Sequence, residues 1–122
     1  MHEIEFYEKP NGKIPVMDFI DNLNSKMKAK ALHDITLLEK HGSSLTAPYV
    51  KSIKGKGCKK LYELRIRHSN DIGRIFYFTF QNNKFILLHG FIKKTMKTPQ
   101  KEIDKALNYM NDYKRRYESY DF

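Results

Sequence analysis

The 122-residue chain contains one cysteine, Cys58, and no apolar run near the roughly 20 residues needed to cross a bilayer. A single cysteine excludes an internal disulfide, which fits a reducing compartment, so we expect a cytoplasmic protein. The first residues, MHEIEFYEKP, carry acids instead of an apolar segment, so we expect no secretory signal there. The length fits one domain with one core, spanning residues 1–122.

Motifs for metal and nucleotide binding are also missing. The 5 histidines show no paired spacing of the HExxH type, and the segment GKGCKK lacks the spacing and the terminal Ser or Thr of a Walker loop. We therefore expect neither a metal nor a cofactor. Cys58 lies near Lys56 and Lys59, which would favour a thiolate, but the sequence offers no base partner. A half-buried, unreactive cysteine is the simpler alternative.

Acidic residues are scarce between residues 51 and 100, where 2 of them accompany 12 lysines and arginines. The rest of the chain has 11 basic and 12 acidic residues, so the whole excess behind the net charge of +9 lies in this segment. Such a concentrated positive field attracts polyanions, and nucleic acid is the first candidate. A solubilising surface is the alternative.

Turn signals and hydrophobic periodicity predict the element order β-α-α-β-β-β-α, an α+β domain with a small, mostly antiparallel sheet. Weak alternation predicts a first strand over 2–7, and helical spacing after Pro15 predicts a helix over 15–23. Asn24 or Ser25 begins a second helix that ends at Gly42. The following residues, up to 59, are predicted to be an irregular loop of functional length.

Three strands are predicted in succession, over about 60–67, 73–80 and 84–93. Their short polar connections, HSND and QNN, indicate antiparallel hairpins. The third strand, KFILLHGFIK, is nearly all apolar, which predicts an interior strand buried on both faces. Thr98 and Pro99 then begin a last amphipathic helix.

Arginines recur along the hairpin LYELRIRHSNDIGRIFYF. Alternation places Arg65 and Arg67 on one strand face with Glu63, and Arg74 on an otherwise aromatic face of the next strand. Guanidinium groups bind phosphate through a planar fork, and several together support cleavage of RNA by its own 2′-hydroxyl, without a serine or cysteine nucleophile. For each arginine, an exposed charge at the edge of the sheet is an equal alternative.

Three motifs, in order, resemble the phage-derived HigB toxins of the RelE/ParE superfamily. They are YELR at 62–65, RIFYF at 74–78 and HGFIKKTMKTP at 89–99, with Met96 where that group commonly has glutamine. The resemblance covers nearly the whole chain. It implies a RelE-like fold and a type II toxin, an mRNA interferase that cleaves mRNA on translating ribosomes and so inhibits translation. It also implies a small HigA-like helix-turn-helix antitoxin, through which alone operator DNA is bound, and no membrane partner.

The resemblance also assigns candidate catalytic residues. Arg65 and Arg74 match phosphate-binding arginines, while Lys93 and Lys94 match basic residues that close the last strand, and we expect all four to stabilise charge. His89 is a candidate general acid or base because the ordinary pKa of histidine is near neutrality. A buried, hydrogen-bonded histidine is the open alternative, since His89 lies within an apolar strand.

Five further residues are predicted to contact RNA: Lys54, Lys56, Arg67, Lys97 and Tyr113. The two lysines at 54 and 56 lie on the glycine-bearing loop, where ordinary solvated lysines are an equal alternative. Tyr113 either stacks on a base, as aromatic side chains do with single-stranded RNA, or packs against the core.

Two other functions remain open at this point. A ParE-like inhibitor of DNA gyrase would share the fold, and fold does not determine function. A nucleic-acid-binding protein without catalysis would explain the charge alone. The arginines of the sheet, together with Lys93 and Lys94, favour the ribonuclease.

Overall fold

Five strands form a mixed sheet within the residues that the computed structural model describes, which are 2–55, 57, 60–81, 84–93 and 97–119. The strands and helices, in chain order, are β1 (Glu3–Phe6), α1 (Pro15–Asp21), α2 (Ser25–His41), β2 (Val50–Ser52), β3 (Leu61–His68), β4 (Asp71–Phe80), β5 (Lys84–Lys93) and α3 (Gln100–Ser119). The order across the sheet is β1-β5-β4-β3-β2. Only the β1–β5 pair is parallel, so the predicted small, mostly antiparallel α+β architecture of a RelE-like fold is confirmed.

Local chemistry explains the boundaries of α1 and α2. Pro15 occupies the first turn of α1, where its missing N–H removes no helical hydrogen bond. Asn24 caps α2, since its side-chain oxygen accepts a hydrogen bond from the Met27 N–H at 2.9 Å. Gly42 follows α2 with a φ of 57°, a conformation that glycine adopts without steric strain.

The strand β2 was missed by the sequence prediction, which treated residues 42–59 as irregular throughout. A short strand instead runs from Val50 to Ser52 and pairs antiparallel with β3, with Val50 opposite Leu64. Three residues are too few for an alternating pattern to be recognised, and each pairing partner lies ten or more positions away along the chain. The first strand is confirmed, and the structure places it at the opposite edge, parallel to β5.

Helices cover both faces of the sheet. On one face, α1 and α2 pack against a set of buried strand residues: Leu64, Ile66, Ile75, Tyr77, Phe85 and Leu87. On the other face, α3 packs against Leu61, Phe76, Phe78, Ile86 and Leu88. The predicted burial of KFILLHGFIK on both faces is confirmed, and the strand is interior over Lys84–Leu87, the part that pairs with β1.

An extra residue in β5 shifts its register against β4. Phe76 pairs with His89, whereas the next residue of β4 pairs with Leu87, so Leu88 is left over as a bulge. Strict alternation from Leu87 would place Lys93 on the face covered by α1 and α2. The bulge instead places both His89 and Lys93 on the face covered by α3.

A close contact between Phe19 and Gly90 fixes α1 on β5. A Cβ atom built on Gly90 would lie 2.6 Å from Cγ and 3.0 Å from Cε2 of Phe19. No side chain fits in that space, so the glycine allows the aromatic ring to pack directly on the backbone of the strand.

We predict that Gly90→Ala lowers the free energy of unfolding by about 1–3 kcal/mol, because the methyl group overpacks the Phe19 contact. Urea denaturation gives the value. Gly73→Ala is the matched control: its Cβ would lie 3.3 Å from the flexible end of Met27, so the loss should be smaller. Combining Gly90→Ala with Phe19→Leu should show favourable coupling, and additive losses would contradict the proposed contact.

Candidate functional site

Cations from three adjacent strands meet on the α3 face of the sheet. Arg65 of β3 lies directly opposite Arg74 of β4, and Lys93 of β5 lies opposite Ile72, on the same face as Arg74. Their electrostatic effects overlap, since the charges of both arginines act on the pKa of Lys93. We call Glu63, Arg65, Arg74 and Lys93 the basic cluster.

A buried carboxylate lies at the centre of the basic cluster. Glu63 is fully buried, and its Oε2 accepts a hydrogen bond from Arg74 Nη1 at 2.8 Å. The Nε atom of Arg65 lies 3.7 Å from the same oxygen. The Thr98 hydroxyl bridges to Lys93, donating to Glu63 Oε1 at 3.5 Å and accepting from Lys93 Nζ at 3.4 Å. Glu63 thus orients the cationic groups around it.

The carboxylate leaves part of the cationic hydrogen-bonding capacity unused. The Nε atoms of Arg65 and Arg74 are buried and have no hydrogen-bond partner within the described part of the protein. The Arg74 side chain is only 5% exposed and that of Arg65 20%. Three cations therefore surround one carboxylate, which leaves the basic cluster with an excess of positive charge.

Burial also changes the acidity of the cluster. It lowers the pKa of Lys93, an effect that the positive charge of Arg74 reinforces and Glu63 opposes. Burial likewise lowers the pKa of Arg74, again opposed by Glu63. A lysine with a lowered pKa releases its proton more readily than an exposed lysine, which suits a proton donor.

Glu63 and Thr98 are the members of this site to which the sequence reasoning gave no role. Glu63 was placed on the face of Arg65, two residues away, and that spacing is the signal that could have identified a counter-ion. Thr98 was treated only as a helix cap. Its side-chain contact with β3 depends on how α3 lies across the sheet, which no local pattern encodes.

His89 lies on the same face but forms its own pair. Its Nε2 is 3.0 Å from Glu102 Oε1 of α3, and its ring packs near Phe76 and Phe91. Burial lowers the pKa of His89, an effect that Glu102 partly opposes and the charge of Lys105 adds to. The geometry is that of the buried, hydrogen-bonded histidine, and an acid–base role for His89 stays a prediction.

Three of the predicted RNA-contacting residues lie around the basic cluster. Arg67 is exposed, two residues beyond Arg65 on the same strand face. Lys54 and Lys97 line a groove of about 420 Å³ beside the start of α3, together with Lys51 and Thr98. Positive side chains therefore continue outward from the cluster.

The remaining predicted residues are Lys56, Lys94 and Tyr113. Lys56 and Lys94 lie outside the described residues. Tyr113 lies in the second half of α3, where its ring packs against Phe78 and Phe80 at the other end of the sheet. Burial, followed by a hydrogen bond to Glu5, raises the pKa of Tyr113 to about 12. The structure thus places Tyr113 among core residues, away from Arg74.

The described residues contain neither a candidate metal site nor a candidate membrane-spanning helix. Within them, no group of three or more His, Cys, Asp or Glu side chains is arranged to hold a metal ion. No helix in this part of the chain is long and apolar enough to span a membrane.

A family comparison classifies the chain. Residues 18–111, which contain Glu63, Arg65, Arg74 and Lys93, match the family model described as Phage derived protein Gp49-like (DUF891). The chain belongs to the Gp49-like family. This family is part of the broader RelE/HigB-like group of toxins. No curated protein shows a significant match to the chain.

The buried ion pair of this Gp49-like protein generates a stability prediction. Glu63→Gln should lower the free energy of unfolding by about 3 kcal/mol, because it leaves the Arg74 guanidinium buried without a counter-ion. Urea denaturation measures the loss. Adding Arg74→Met should recover part of it, since the most deeply buried of the uncompensated charges is then removed.

Glu3→Gln is the matched control for this prediction. Glu3 is 67% exposed and lies 3.7 Å from Lys84, so its loss should change stability by no more than about 0.5 kcal/mol. Equal effects of the two glutamine substitutions would show that Glu63 does not stabilise Arg74.

The Gp49-like protein should also lose stability in mild acid through His89. In the unfolded chain this histidine takes up a proton near its ordinary pKa of about 6.5, whereas burial keeps it neutral in the fold. The contribution of His89 to the free energy of unfolding is therefore fully present above a pH of about 6.5. It is lost as the pH falls toward the lowered pKa of the folded state. His89→Gln should flatten the decline of stability between pH 7 and 5, measured by urea denaturation. The same substitution at the exposed His33 is the control, and an unchanged slope in His89→Gln would contradict the assignment.

Proposed function

We propose that this Gp49-like protein is the toxin of a type II toxin–antitoxin system, a HigB-like endoribonuclease that cleaves mRNA on the ribosome and so inhibits translation. The observation that supports this most directly is the basic cluster. Two arginines share one buried carboxylate, and Lys93 lies on the same face, so the cluster keeps an excess of positive charge. That arrangement suits a phosphodiester, whose oxygens accept several hydrogen bonds at once.

The proposed reaction uses the substrate as its own nucleophile. The 2′-oxygen attacks phosphorus, the bond to the 5′-oxygen breaks, and the products carry a 2′,3′-cyclic phosphate and a 5′-hydroxyl. The 2′-hydroxyl loses a proton to a base, and the leaving 5′-oxygen gains one. The enzyme therefore needs to hold these atoms in line and stabilise the added charge on phosphorus.

We assign charge stabilisation to the two arginines. Arg74 and Arg65 would bind the non-bridging phosphate oxygens through the N–H groups that Glu63 does not use. Because Arg74 is almost completely buried, these hydrogen bonds form in a medium of lower dielectric than water and are correspondingly stronger. Glu63 fixes the orientation of the guanidinium groups before substrate arrives, so little reorganisation is required during the reaction.

We assign proton donation to Lys93. Burial and the neighbouring Arg74 lower its pKa, so it transfers a proton to the leaving 5′-oxygen more easily than an ordinary lysine does. Lys94 would add charge beside it. His89 remains a second candidate proton carrier in this scheme, acting through its contact with Glu102.

The flanking nucleotides would follow the positive groove that leads away from the cluster. Lys51, Lys54 and Lys97 line it, and the N-terminus of the 20-residue helix α3 adds a favourable dipole for phosphate. Arg67 extends the positive surface on the other side, and Lys56 is proposed to act with Lys54.

The proposed function includes a partner. A HigA-like helix-turn-helix antitoxin would neutralise the toxin in the cytoplasm and would carry the binding to operator DNA. Such a partner would keep the proposed nuclease inactive in the cell that encodes both proteins.

The test is cleavage of mRNA in a bacterial translation extract, with the 5′ ends mapped and the end groups identified. Arg65→Ala and Lys93→Ala should each lower the cleavage rate about 100-fold or more, as loss of one such electrostatic contact does. Both variants leave the Glu63–Arg74 pair intact, so they should remain folded. His89→Gln, assayed in parallel, tests the acid–base role.

Lys26→Ala is the matched control, because it removes one exposed positive charge on α2, on the opposite side of the sheet. It should cleave at the wild-type rate. Gyrase inhibition without cuts, or salt-sensitive RNA binding without cuts, would each contradict the nuclease. Products that carry a 3′-hydroxyl would contradict the 2′-oxygen as nucleophile.

A further inference from the structure

Half of β5 has an open edge. The strand β1 pairs with β5 only from Lys84 to Leu87, and the last bond on that side runs from the Tyr7 N–H to the Leu87 carbonyl. Beyond this point, no strand among the described residues pairs with the outer edge of β5. The segment 88–93 extends for about 17 Å at roughly 3.3 Å per residue. Such an edge carries backbone N–H and C=O groups that are available to another chain.

A groove of about 460 Å³ follows this edge. Gly90 and Ile92 of β5 line its floor, Phe19 of α1 lines one side and Tyr109 of α3 the other. Side chains from both faces of the sheet thus line the groove, which leaves the edge of β5 between them open to an added strand. Its apolar walls suit the alternate side chains of an extended peptide.

The rim of the groove is positively charged. Lys9 and Lys13 lie on the turn after β1, Lys105 lies on α3, and Asp18 contributes the opposing carboxylate. None of these three lysines forms an ion pair with another described residue. Three unpaired cations around an apolar floor complement a strand that carries carboxylates on the side chains facing the rim.

We propose that this edge groove, formed by β5, α1 and α3, binds an extended acidic segment of a partner protein by strand addition. The backbone of the segment pairs with the outer edge of β5 over residues 88–93, its apolar side chains contact Phe19 and Ile92, and its carboxylates reach the rim lysines. Binding of this kind involves neither RNA nor the basic cluster, although His89, the second candidate proton carrier, also lines the groove. Peptide binding is measured without RNA, so its failure is distinguishable from a failure of the cleavage assay.

The test uses a blocked seven-residue peptide of alternating glutamate and valine, with the glutamates replaced by lysines as the control peptide. Amide hydrogen exchange of the wild-type protein, followed by NMR, should show added protection at Gly90 and Ile92 with the acidic peptide only. Protection at the other sheet edge, over Val50–Ser52, or binding of both peptides alike, would overturn the proposal. The absence of binding at millimolar concentrations of the acidic peptide would also overturn the proposal.

Charge reversal provides the second measurement. Lys13→Glu combined with Lys105→Glu should weaken the acidic peptide at least tenfold, while Lys26→Glu on α2 should leave its affinity unchanged. All three positions are exposed, so the variants should fold. Equal affinity for the double variant and the control would overturn the proposal. The same amides could instead be protected by a single-stranded RNA oligonucleotide or by self-association of the protein alone. Either result would overturn the acidic partner and identify RNA or a second copy of the chain as the occupant of the groove.

Discussion

The candidate site of this protein depends on one buried ion pair, between Glu63 and Arg74. A guanidinium group that is almost completely buried requires a counter-charge, because an unpaired charge in a protein interior is strongly destabilising. Glu63 supplies that charge and holds Arg74 in a fixed orientation. A second arginine and a lysine then share the environment of the same carboxylate, so the cluster carries an excess of positive charge before any ligand binds.

The fold makes such burial possible because helices cover both faces of the sheet. The helix α3 lies over the face that carries the basic cluster, and the residues just before the helix include Thr98, which contacts Glu63. The bulge at Leu88 is equally important, since it moves His89 and Lys93 onto this face. A one-residue irregularity in a single strand therefore decides which side chains the arginines meet.

The strand β5 links the two surfaces that we associate with function. One face of the strand carries Lys93 into the basic cluster, while its outer edge borders the groove beside Phe19. The two surfaces differ chemically: the cluster offers oriented N–H donors suited to phosphate, whereas the groove offers backbone groups and apolar walls with a basic rim. Membership of the Gp49-like family fits a toxin, and the substrate and the partner that we assign to the two surfaces are proposals.

The sequence by itself determined the α+β class, the three hairpin strands, the burial of KFILLHGFIK on both faces, the Asn24 and Gly42 boundaries of α2, and the concentration of positive charge. These features are local, because each depends on alternation, capping or composition within a few residues. It could not determine the short strand β2, the register shift at Leu88, or the position of Tyr113 away from the cluster. It also gave no role to Glu63 as the counter-ion of Arg74. Only the tertiary structure decided these, because each arises from pairing or packing between segments that are distant along the chain.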